Sequence, residues 1–143
     1  MIITIIIRGE MSMIFKVINI EDDPIKHGDI MMALKKCGVT QISVESKGED
    51  GVNKIEMAIG EGEPYNLLVL DMQFPINGQY EKKAGKIVIE QLQKKEIHIP
   101  IIVCSSIRYD IPGIVGCIHY NEANDLYSDM RDLIEKAKQN INI

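Results

Sequence analysis

"NLLVLDMQFP", residues 66–75, carries four apolar residues in an unbroken row and then an aspartate, Asp71. A strand with one face in water alternates apolar and polar residues. An unbroken run instead marks a strand covered on both faces, the situation of a parallel sheet between two layers of helices. Working outward from this run, "IFKVINI" (14–20), "IPIIVC" (99–104) and "VGCIHY" (115–120) read as further strands, and "TQISVES" (40–46) alternates with Ile42 and Val44 on one side. Between them, apolar residues recur at helical spacing. Ile30, Leu34 and Cys37 form one stripe, Val52, Ile55 and Ile59 a second, Ala84, Ile87, Val88 and Leu92 a third, and Leu126, Met130, Leu133 and Ala137 a fourth. Pro24 suits a first helical turn, and Gly38, Gly60 and Gly62 suit helix ends.

Strands alternating with helices imply right-handed crossovers and an α/β, doubly wound, five-stranded parallel sheet. The first, third and fourth strands have the most apolar runs, which fits the spatial order 2-1-3-4-5. Ligands of such sheets bind beyond the carboxyl ends of the strands, where strand order reverses. That point lies between strands one and three. Glu21 and Asp22 close the first strand and Asp71 closes the third, so these acids should converge on one mouth. Asp23, just ahead of Pro24, is read as the N-cap of the following helix. Clustered carboxylates raise one another's pKa. A divalent cation removes the conflict, and Mg²⁺ typically takes one or two carboxylates together with water and phosphate oxygens.

The bulk properties set limits. With 143 residues, 45% apolar and 26% charged, the chain reads as one compact domain. A net charge of -5 and no basic block argue against direct contact with nucleic acid. The apolar opening "MIITIII" is too short to span a bilayer and lacks the features of a signal peptide. Residues 1–13 are set apart as an N-terminal extension, read either as an added strand or as sequence upstream of a domain at 14–139. Cys37, Cys104 and Cys117 make an odd count without metal-ligand spacing, as expected for a cytoplasmic protein.

"FKVINIEDDP", "LLVLDMQFP" and "IPIIVCSS", in this order and at these intervals, resemble the receiver domain of bacterial two-component response regulators, a flavodoxin-like fold. The resemblance covers residues 14 to 139. It implies that Asp71 accepts a phosphoryl group from the phosphohistidine of a sensor histidine kinase or phosphotransfer protein. It further implies that Asp22 binds Mg²⁺ directly, that Glu21 holds a metal-bound water, and that the backbone carbonyl of Gln73 is another metal ligand. Ser105 would hydrogen-bond the phosphoryl oxygen. With only "QNINI" after the last helix, the expectation is a stand-alone receiver signalling to a downstream protein target.

The sequence also departs from the family. Receivers carry a lysine at the end of strand five, where this chain has "GCIHYNEAND" (116–125), placing His119, Tyr120 or Asn121 in that region. "INGQYEKKA" (76–84) lengthens the connection after Asp71, and "SIRYDIPGIV" (106–115), with Pro112 and Gly113, leaves room only for a shortened fourth helix. An alternative reading is therefore a degenerate receiver that works as a phosphorylation-independent interaction module. A third is a Mg²⁺-dependent phosphatase using Asp71, against which stands Gln73 where such enzymes commonly carry a second acid.

Overall fold

A computed structural model of the chain describes residue 14 and residues 16–141; the N-terminal extension read at 1–13 lies outside the described residues. The elements run β1 (Lys16–Ile20), α1 (Pro24–Lys36), β2 (Gln41–Glu45), α2 (Gly48–Gly60), β3 (Leu67–Leu70), β4 (Phe74–Ile76), β5 (Gln79–Glu81), α3 (Ala84–Lys94), β6 (Ile101–Ser105), β7 (Gly116–His119) and α4 (Leu126–Ile141). Five strands form one parallel sheet in the order β2-β1-β3-β6-β7. Counting only these five, the order is 2-1-3-4-5, as the sequence predicts.

The alternation of side chains divides the core. Ile18, Ile20, Leu68, Leu70 and Val103 face α2 and α3, meeting Val52, Ile55, Val88 and Leu92. Val17, Leu67, Val69, Ile102 and Cys104 face α1 and α4, meeting Ile30, Leu34, Met130 and Ile134. All residues of β3 and β6 are buried, which is why their sequences are apolar without alternation. β2 is an edge strand and only half covered, with Val44 40% exposed. On α2 the buried stripe is Val52, Ile55 and Ala58, whereas Ile59, read from the sequence as part of that stripe, is 46% exposed. The helix turns by 100° per residue, and a step of three from Ile55 meets the sheet more squarely than a step of four.

Two connections differ from the sequence reading. The long one after Asp71 is an antiparallel hairpin, β4 with β5, turning at Asn77 and Gly78. Both have positive φ (52° and 80°), the type I′ geometry for which Asn-Gly is the favoured pair. The hairpin is pinned to the start of α2. Phe74 is fully buried, and the Asn77 amide donates to the Glu49 carboxylate at 3.2 Å. In the other connection, residues 106–115 contain no helix rather than a short one. Among the described residues, no helix is long and apolar enough to cross a membrane.

Candidate functional site

The mouth of the sheet is built by backbone pairing. The Asp71 amide donates to the Ile20 carbonyl at 3.1 Å, and the Glu21 amide donates to the Glu45 carbonyl at 2.9 Å. The first residues past β1 and β3 are thus side by side. Ligand oxygens of Glu21, Asp22 and Asp71 all lie within 4.8 Å of one another, with Glu21 and Asp71 buried and Asp22 exposed. These are the acids that the sequence places at one mouth. Asp23 instead caps α1, its Oδ1 accepting from the Ile25 amide at 2.9 Å and the Lys26 amide at 3.4 Å, with Pro24 beginning the helix.

α3 closes in from the other side. A Cβ on Gly85 would stand 2.6 Å from the Asp71 carbonyl oxygen and 2.9 Å from Met72 Cα, and the Gly85 amide donates to the Met72 carbonyl at 3.1 Å. Gln73, two residues past Asp71, receives the Tyr80 hydroxyl on its Oε1 at 3.1 Å, so β5 hangs over the mouth. Desolvation and then the charges of Asp22 and Asp71 raise the Tyr80 pKa, which places its hydroxyl in the field of the acids. Ser105 ends β6, is buried, and its Oγ accepts from the Ile107 amide at 3.2 Å.

The sequence reading missed a residue that the structure places at the centre of this site. The Lys26 ammonium lies 3.0 Å from Glu21 Oε1 and 3.0 Å from Asp71 Oδ1, on a side chain only 8% exposed. Asp71 Oδ1 also accepts from the Met72 amide at 2.8 Å. A signal for Lys26 was present. It stands four residues before Ile30 and eight before Leu34, hence on the buried stripe of α1, where a cation needs a partner.

The charges of the group do not balance within the chain. Burial opposes the Lys26 charge, but Asp71 and Glu21 outweigh it and raise its pKa, so it stays an ammonium. One ammonium faces three carboxyls. Burial pushes Glu21 up to about 8 against the pull of Lys26, with Asp71 adding to the rise. Asp22 is raised by burial first, then by Asp71 and Asp23. Glu21 Oε1 is wholly buried and, although Lys26 is close, no donor is aimed at it with hydrogen-bond geometry. An all-oxygen donor set with an unsatisfied buried oxygen suits a hard divalent cation.

Of the three residues that the sequence offers in place of a strand-five lysine, none pairs with Asp71. His119 Nε2 lies 2.9 Å from the Ser106 carbonyl, and Asn121 donates to His119 Nδ1 at 3.0 Å. Asn121 Oδ1 accepts from the amides of Ala123 and Asn124, fixing the turn into α4. The Tyr120 hydroxyl donates to Asp29, and this bond, more than burial, raises the Tyr120 pKa. The Tyr120 ring reaches the site only through Lys26, whose ammonium lies 5.4 Å from the ring centre.

No family model and no curated protein matches the sequence. Solved structures do. The response regulator RPA3017 in red light signalling of R. palustris is 17% identical, with a TM-score of 0.63 over 83% of this chain and 90% of its own. A response regulator receiver domain protein from Clostridium thermocellum is 16% identical, with a TM-score of 0.65 over 88% of this chain and 95% of its own. The fold is that of a receiver domain. RcsB, in a structure of two dimers bound to DNA, is 16% identical with a TM-score of 0.68, and it matches 87% of this chain. The receiver fold here spans only 64% of that RcsB chain.

Proposed function

We propose that the chain is a response-regulator receiver that accepts a phosphoryl group on Asp71 from the phosphohistidine of a partner kinase or phosphotransfer protein, with Mg²⁺, in the cytoplasm, and passes the signal by protein contact. The observation that carries this reading is the convergence of Glu21, Asp22 and Asp71 within 4.8 Å at the switch point of the sheet. Asp22 and Asp71 would hold the cation directly, Glu21 through water, and the Gln73 carbonyl would complete the protein ligands. The cation would supply neutralising charge for the transferring group.

Asp71 Oδ1 is held by Lys26 and the Met72 amide, so attack falls to Oδ2. As the new O–P bond forms, the P–N bond to the donor imidazole breaks, and its electron pair leaves with the nitrogen, which takes a proton from water. Lys26 and the Met72 amide orient the carboxylate, and Ser105 stands at the neighbouring strand end to donate to a phosphoryl oxygen. Incubation with Mg²⁺ and a phosphohistidine donor or acetyl phosphate, followed by intact mass, tests the reading. A base-labile phosphate adduct on the wild type and none on Asp71→Asn is the expected result; no adduct from either donor overturns it.

The Lys26 pairing also favours a second reading, an interaction module that does not depend on phosphorylation. An acceptor already paired with a buried ammonium, with no helix at 106–115 and no lysine from Cys117 to Asp125, suits a fixed conformation.

A further inference from the structure

Lys26 sits against two general preferences. It lies in the first turn of α1, where the helix dipole disfavours a cation. It is also buried, where an unpaired ammonium is costly. Glu21 and Asp71 offset both costs, each through an oxygen 3.0 Å from Nζ. The Tyr120 ring lies over the ammonium, its centre 5.4 Å away, and Asp23 fixes the helix turn from which Lys26 projects. The lysine is therefore built into the pocket.

Those same two carboxylates belong to the group that suits a divalent cation. Mg²⁺ binds oxygen at about 2.0–2.1 Å, so an ion on the oxygens that Lys26 holds would stand within about 5 Å of Nζ. At that range, in a site shielded from water, two positive charges repel strongly. We propose that the Lys26 ammonium is an intramolecular counter-ion that competes with a divalent cation for Glu21 and Asp71, holding the pocket together without metal and setting how weakly metal loads. The inference rests on the metal reading above and concerns the regulation of that site.

The test is Mg²⁺ titration by calorimetry of the wild type, Lys26→Met, Lys26→Gln and Lys26→Arg, each first freed of metal with chelator. Lys26→Gln keeps a hydrogen-bond donor in the pocket and serves if Lys26→Met does not fold. The expected result is at least tenfold tighter Mg²⁺ binding by the neutral variant, with Lys26→Arg as weak as the wild type. Melting temperature should follow: Mg²⁺ should raise it more in the neutral variant than in the wild type. Equal Mg²⁺ affinity in the wild type and the neutral variants overturns the competition while leaving the metal site standing. If none of the proteins binds Mg²⁺, the metal reading fails and the competition with it.

Discussion

At Gly85 a single added methyl would meet the Met72 sulfur at 2.5 Å, which can swing away, and also the Asp71 carbonyl oxygen and Met72 Cα, which as backbone cannot. Gly85→Ala should cost about 1–3 kcal/mol in urea denaturation and lower the yield of the proposed Asp71 adduct, since α3 must back away from Asp71. His27 offers a second test. Its Nδ1 pairs with the buried Asn19 Oδ1 at 2.7 Å, and burial lowers its pKa. The unfolded chain then takes up this proton at a higher pH than the folded one. The histidine's contribution to stability is present above its ordinary value and is lost as pH falls below about 6.5. His27→Gln should flatten that part of the stability profile, measured by melting temperature against pH. At this scale the acids were legible because each follows an apolar run. Lys26 was not, because apolar spacing marks the helical stripe and a cation in its line adds nothing to that signal.

The hairpin between Asp71 and α3 is an element whose sequence announces it less loudly than the main strands. Its strands are three residues each, too short for alternation to register, and only the Asn77-Gly78 pair marks the turn. Gly78→Val forces a β-branched residue into positive φ and should cost about 1–2 kcal/mol. The loss should be local, seen as faster proteolysis around 77–82 while the sheet stays intact. Asp23→Ala removes the cap of α1 and should lower stability by about 1 kcal/mol, read from the urea midpoint. The main helices were legible from their spacing, with Ile59 misread because a step of three and a step of four both fit an apolar pattern. Residues 106–115 were legible as a broken helix; the Pro-Gly pair explains why no turn of helix forms there.

Across the whole molecule, the order of burial predicts the order of opening. β1, β3 and β6 are central and covered on both faces, whereas β4, β5 and the irregular 106–115 segment have little buried backbone. Hydrogen exchange should therefore be slowest in the three central strands and fastest in the hairpin and that segment. The strand order was readable because parallel pairing and right-handed crossovers leave few arrangements once the most apolar strands are set at the centre. Chemistry at the mouth was readable only as far as strand ends fix it, and contributions from α1 and β5 depend on side chains that reach across the sheet.

Tyr80 has a practical consequence. The sequence has no tryptophan, so its near-ultraviolet emission comes from its five tyrosines. One of them is 60% exposed and bonds the residue two places past Asp71. The chain thus carries its own optical reporter above the mouth of the sheet. The difference spectrum between the wild type and Tyr80→Phe isolates that signal, so events among the acids can be timed in solution without attaching a dye.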